Sequence, residues 1–192
     1  VTISHAGYIK RTNLSEYKTQ NRGGVGQKSA GTRDQDFLEH MFVATNHQYM
    51  MFFTQKGKCF WMRVYEIPEG SKTAKGRAIQ NLVNIESDDK VKAFICTQDL
   101  KDKDYINSHN LVMVTKQGQV KKTSLEKYSK PRVNGVAAIT IKEGDELLEA
   151  KLTNGESQII LAVKSGKLVR FEETKTRPMG RTASGVRGIT LK

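Results

Sequence analysis

Two cysteines, three prolines and one tryptophan are all that this chain holds of those residues in 192 positions, and no apolar run approaches membrane-spanning length. A disulfide framework is not expected from so few thiols. Cys59 and Cys96 fall in apolar runs without metal-ligand spacing, which reads as reduced core thiols. No segment has the charged, apolar and small-residue order of a signal peptide, so a cytoplasmic location is expected. The four histidines, His5, His40, His47 and His109, are scattered without a carboxylate or cysteine partner at recurring spacing. The run Gly23-Gly24-Val25-Gly26 lacks the Lys-Ser/Thr pair of a nucleotide-binding loop. No catalytic residue, and no enzyme activity of the chain by itself, is expected. The carboxylates of Asp99, Asp102 and Asp104 lack the glycine and distal glutamate of a calcium loop, so no metal site is expected and this stretch reads as a surface connection.

What is present is a repeat. Aligning the chain on Gly7, Gly57, Gly118 and Gly166 gives four copies of one unit, each an apolar run, an x-Gly turn and a second run carrying Lys or Arg. A further glycine follows each turn by 17 or 19 residues, at Gly26, Gly76, Gly135 and Gly185. Approximate units are 1–48, 49–110, 111–157 and 158–192. Apolar residues alternate before each turn, as Val1/Ile3, Met51/Phe53, Val112/Val114 and Ile160/Ala162. Period two with a tight glycine turn predicts β-hairpins with one buried face, and self-similarity over about 50 residues predicts an all-β propeller-like array of stacked units. Phe52, Phe53, Phe60 and Trp61 around the second hairpin are assigned to the core.

The formal net charge of +12 is unevenly spread. Four arcs, 10–28, 56–77, 116–132 and 164–187, hold 24 of the 32 basic residues but only 6 of the 20 acidic ones. The arcs therefore carry +18 and the remainder −6. Positive charge on one repeated element is the footprint of a protein that follows a polyanion's backbone. On the hairpin strands the candidate phosphate ligands are Lys10, Arg11, Lys58, Arg63, Lys121, Lys122, Lys167 and Arg170. On the loops they are Lys28, Lys75, Arg77, Lys130, Arg132, Arg177, Arg181 and Arg187. The loop Gln20-Asn21-Arg22-Gly23-Gly24-Val25-Gly26 adds a guanidinium among three glycines, where backbone N–H groups can approach an anion closely.

That heptad resembles the box Gln-Arg-Arg-Gly-Gly-Lys-Gly of the C-terminal domain of the bacterial DNA gyrase A-subunit. The stretch from Arg177 to Ile189 is similar to a later repeat of the same family, and the likeness runs the length of the chain. The resemblance implies a β-pinwheel of four-stranded antiparallel blades that exchange strands, here four of a family-typical six. It implies a non-catalytic domain that wraps double-stranded DNA, largely without regard to sequence, to direct strand passage and negative supercoiling by an ATP-dependent topoisomerase. The partners implied are the N-terminal region of the gyrase A-subunit and the gyrase B-subunit in an A2B2 holoenzyme, with ATP and Mg used elsewhere in that assembly and no cofactor in this chain. Gln20, Arg22, Gly23, Gly24 and Gly26 carry over as box residues, whereas Asn21 and Val25 stand where the family pattern has Arg and Lys.

Two alternatives differ in kind. The C-terminal domain of the topoisomerase IV A-subunit is a related pinwheel without an intact box, and Gln20 to Gly26 speaks against it. A propeller serving as a protein-interaction scaffold need not concentrate its positive charge on one repeated element.

Overall fold

The structure is a computed structural model and describes residues 1–26 and 30–191. In chain order the described elements are β1 (Thr2–Ser4), β2 (Tyr8–Lys10), β3 (Leu38–Met41), β4 (Tyr49–Thr54), β5 (Lys58–Arg63), β6 (Arg77–Ala78) and β7 (Val91–Thr97). The helix α1 (Lys103–Ser108) follows, then β8 (Asn110–Thr115), β9 (Gln119–Ser124), β10 (Val136–Ala137), β11 (Leu147–Thr153), β12 (Gln158–Ala162), β13 (Leu168–Glu172) and β14 (Val186–Arg187). Single 3₁₀ turns follow several of the hairpins. The chain divides into two compact units, residues 1–48 with 62–86, and residues 49–61 with 87–192.

Each hairpin turns at its glycine because a positive φ is needed there: +81° at Gly7, +84° at Gly57, +82° at Gly118 and +82° at Gly166. The Gly7 amide donates to the Ser4 carbonyl, and the other three repeat the bond with Thr54, Thr115 and Val163. In three hairpins a hydroxyl reinforces the turn, Ser4 Oγ, Thr54 Oγ1 and Thr115 Oγ1 accepting from the amides of Tyr8, Lys58 and Gln119.

In the first unit the strand order is β3-β1-β2-β6. In the second unit the orders are β10-β5-β4-β7 and β11-β8-β9-β14, with β12-β13 as a two-stranded sheet. All named pairings are antiparallel. The fourth strand of each four-stranded sheet comes from the repeat that follows. Thus β6, after the second hairpin, pairs with β2 in the register Ile9↔Arg77, and β10 and β14 pair with β5 and β9 as Val136↔Cys59 and Val186↔Val120.

Burial departs from a single buried face. Met50, Met51, Phe52 and Phe53 of β4 are all fully buried, because side chains pack on both faces of that strand. In the second unit one core gathers Met51, Phe53, Leu111, Met113, Leu125, Tyr128, Leu147 and Ala150. A smaller cluster sets Leu161 against Val112 and Val120, with Ile159, Val169 and Phe171 beside it. In that last hairpin the alternation is out of phase with expectation, since Leu161 is buried while Ile160 is exposed. Both cysteines are free thiols, and burial pushes both upward in pKa, Cys59 strongly. Trp61 is half-buried and packs against the core.

The stretch assigned to a surface connection at 99–104 is partly core. Asp102 caps α1 by accepting from the amides of Asp104 and Tyr105, and Leu100, Tyr105 and Ile106 are buried in the second unit's cluster. The acidic and polar stretch 31–36, which reads equally as a surface connection in the sequence, also has a built role. Asp36 Oδ1 accepts from the amides of Ala6 and Phe37, Asp89 Oδ1 from Lys56 and Lys90, and Asp145 Oδ1 from Gln117 and Glu146. Ala6, Lys56 and Gln117 each immediately precede the hairpin glycine, so in three repeats one aspartate staples the turn to the chain that returns beside it.

Candidate nucleic-acid interface

The glycine loops share a local construction. A turn closes with Gly24 N donating to Asn21 O, Ala74 N to Ser71 O and Ala183 N to Gly180 O, at 3.1 to 3.2 Å. Arg22, Lys72 and Arg181 thus occupy the same place in three turns. The third loop closes differently, Gly135 N donating to Arg132 O. The terminal glycines have φ of +81° at Gly26, +76° at Gly76, +69° at Gly135 and +89° at Gly185. Three of them lie against the second hairpin strand of the preceding repeat: a Cβ would meet Ile9 O at 2.7 Å from Gly76, Val120 O at 2.6 Å from Gly185, and the Phe60 ring at 2.7 Å from Gly135. Among the described residues, a Cβ on Gly26 would meet nothing within 4 Å.

The arm that carries the heptad is docked on the second glycine loop, within the first unit. Thr12 Oγ1 donates to Gly70 O at 2.8 Å, and the Arg11 and Gly70 backbones are paired. Beyond the heptad, the Gly31 amide donates to Lys72 O, and a Cβ there would lie 2.0 Å from Thr73 O. Between these anchors Gln20, Arg22, Gly23, Gly24 and Gly26 are exposed.

The remaining candidates fall into three groups. Lys75, Arg77, Lys130, Arg132, Lys167, Arg170, Arg177 and Arg187 are exposed. Arg11, Lys58, Arg63 and Arg181 are half-buried. Of these, Arg11 spends Nε on Ile67 O at 2.9 Å and Nη1 on Glu69 at 2.9 Å, and Arg63 Nη1 donates to His47 O. Lys28 lies outside the described residues.

Lys10, Lys121 and Lys122 form the third group and correct the expectation that they meet phosphate on the surface. Their exposures are 4 %, 0 % and 5 %. Lys10 Nζ donates to Ser71 O at 2.8 Å and Lys72 O at 2.6 Å. Lys121 Nζ donates to Ala138 O at 2.5 Å and to Arg181 O, and Lys122 Nζ to Glu173 O at 2.7 Å. An ammonium ion deprived of water is stable only where oxygens surround it, and here they are peptide carbonyls. Burial lowers the Lys10 pKa against the opposing pull of Glu16. It brings Lys121 down to about 8, with Arg181 adding repulsion.

Lys72 is a basic loop residue absent from the sequence-based candidates. Its amide donates to Glu16 Oε2 at 3.2 Å, and its ammonium stands 5.8 Å from the Tyr17 ring centroid. Its signal was the spacing to Gly76, which matches that of Arg22 to Gly26.

A family model described as "DNA gyrase C-terminal domain, beta-propeller" matches residues 1–45, 48–98, 109–154 and 158–192. The DNA gyrase A-subunit of Salmonella typhimurium is 41% identical over 191 residues, and that of Buchnera aphidicola 43% over 192. All of this chain is covered in both, but it spans only 21% and 22% of the relatives' lengths. Among solved structures, the C-terminal domain of a DNA topoisomerase IV superposes on the whole chain with a TM-score of 0.81 at 29% identity, over 56% of its own length. A DNA gyrase A C-terminal domain gives 0.74 at 24%, over 60% of its length, a likeness of fold.

Proposed function

The chain belongs to the DNA gyrase C-terminal domain family, and from that premise we propose that it binds duplex DNA through its repeated glycine loops and bends it, as a non-catalytic part of a type II topoisomerase. The observation that carries this reading is the exposure of basic residues on or beside successive glycine loops: Lys75 with Arg77 of β6, Lys130 with Arg132, and Arg177 with Arg187 of β14, joined by Arg22 in the heptad. Backbone contacts position a duplex and carry little sequence information, so binding depends weakly on sequence. Bending 20 to 30 bp by 40 to 90° costs on the order of 1 to 6 kcal/mol, which requires contacts distributed along the duplex rather than a single site. The working assembly is the holoenzyme with the rest of gyrase A and with gyrase B, where ATP and Mg act. This chain needs no cofactor of its own and works in the bacterial cytoplasm.

Fluorescence transfer between the ends of a short duplex tests the bend. The chain should bring the ends together at low salt, and Arg22→Ala should weaken that bend more than it weakens affinity. Binding without any change in end-to-end transfer overturns bending. In the reconstituted enzyme the same substitution should abolish negative supercoiling while sparing relaxation. A topoisomerase IV role is favoured by one observation, the TM-score of 0.81 to that enzyme's C-terminal domain. Supercoiling indifferent to Arg22 would support it.

A further inference from the structure

Lys10 and Lys121 stand at the same position in two repeats, three residues after the hairpin glycines Gly7 and Gly118, and both are buried. Desolvating an ammonium costs several kcal/mol, so the fold alone would be better served by an apolar side chain. The second repeat shows as much, for Phe60 fills the equivalent position at 2 % exposure and Gly135 of the next loop packs on its ring. The lysines do something the phenylalanine does not. Lys10 draws in the carbonyls of Ser71 and Lys72, and Lys121 those of Ala138 and Arg181.

Lys72 and Arg181 are the matching turn residues of their loops. With the carbonyl of that residue held inward, peptide oxygen is removed from the face that meets solvent, where it would repel phosphate. An amide on the same loop already accepts an anion as partner, since Lys72 N–H donates to the Glu16 carboxylate. Lys75 is exposed on the first of these loops with Arg77 beyond it at the start of β6, and Arg187 is exposed on β14 beyond the second.

We propose that Lys10 and Lys121 are positioning residues for duplex binding, each buried ammonium holding inward the carbonyl of the matching turn residue of one glycine loop, Lys72 or Arg181, and so directing the cations on and beside that loop toward phosphate. The proposal rests on the DNA-binding reading above.

A double-mutant cycle on the 192-residue chain tests it, reading log K for a short duplex against log salt. Lys121→Met should make the slope shallower by about 2, although Lys121 itself cannot reach phosphate, because each lost contact is worth about 0.9. Arg181→Ala with Arg187→Ala should have a similar effect. Combining all three should add nothing further, since the lysine acts through those two side chains. Lys10→Met against Lys75→Ala with Arg77→Ala is the second, independent cycle. An unchanged slope in a folded lysine variant, or additive losses in both cycles, overturns the proposal. So does failure of both lysine variants to fold, which would make them supports of the sheets and not of the loops. Failure of the unmodified chain to bind duplex overturns the DNA-binding reading itself.

Discussion

Asp89 and Asp88 are adjacent carboxylates with opposite roles. Asp89 is 1 % exposed and accepts from two backbone amides, whereas Asp88 pairs with Lys56 in solvent. Asp89→Ala leaves two amides unpaired at a hairpin turn and should cost about 1–3 kcal/mol, read from the urea midpoint. Asp88→Ala should leave that midpoint unchanged, because an exposed ion pair contributes little. Lys121 gives a pH signature. Its folded pKa of about 8 lies below the unfolded value of 10.5, so the unfolded chain binds more protons between the two. Stability due to this group therefore rises with pH from about 8 to 10.5, by roughly 1–3 kcal/mol, and is constant below that window. The difference in stability between the parent chain and Lys121→Met, followed by denaturant titration at several pH values, checks the sign. Composition and spacing counted Lys10, Lys121 and Lys122 correctly as basic residues on hairpin strands. They could not show that the second strand is roofed by the next repeat's loop, because burial of a lysine depends on contacts about 60 residues away in the chain.

At the scale of the element, the glycine loops separate strain from crowding. Gly185 has φ +89° and its Cβ would lie 2.6 Å from the Val120 carbonyl, while Gly26 has φ +81° and, among the described residues, nothing within 4 Å of its Cβ position. Gly26→Ala should cost only the backbone term, about 1–2 kcal/mol. Gly185→Ala must also move a strand backbone and should be clearly more destabilising, with thermal melts of the two variants giving the comparison. The four hairpins were legible because a turn glycine forced to positive φ leaves a fixed mark between alternating apolar runs. The aspartate staples were not, since Asp36, Asp89 and Asp145 follow their glycines at unequal distances and sit in polar stretches. The short strand Arg77–Ala78 was equally hidden: two residues carry no period, and the partner strand supplies the order. The heptad and the loop pairs Lys75/Arg77 and Lys130/Arg132 were legible as candidates because charge and glycine mark them directly in the sequence.

For the molecule as a whole, nine of the candidate cations among the described residues are exposed: Arg22, Lys75, Arg77, Lys130, Arg132, Lys167, Arg170, Arg177 and Arg187. If all nine meet phosphate, log K falls against log salt with a slope of about −8, and shallower if some do not. Titrations of a duplex long enough to be bent, run at several salt concentrations, measure it, and scrambling the duplex sequence should leave the slope in place. The borrowed strands bear on how such a chain is made. On a ribosome β2 emerges long before β6, and β5 long before β10, so each sheet waits, one edge bare, until much of the following repeat has been synthesised. Domains ordinarily complete themselves in order of synthesis. Here completion of the three four-stranded sheets lags by one repeat, and each nascent sheet is guarded or exposed according to the pace at which the next repeat is translated.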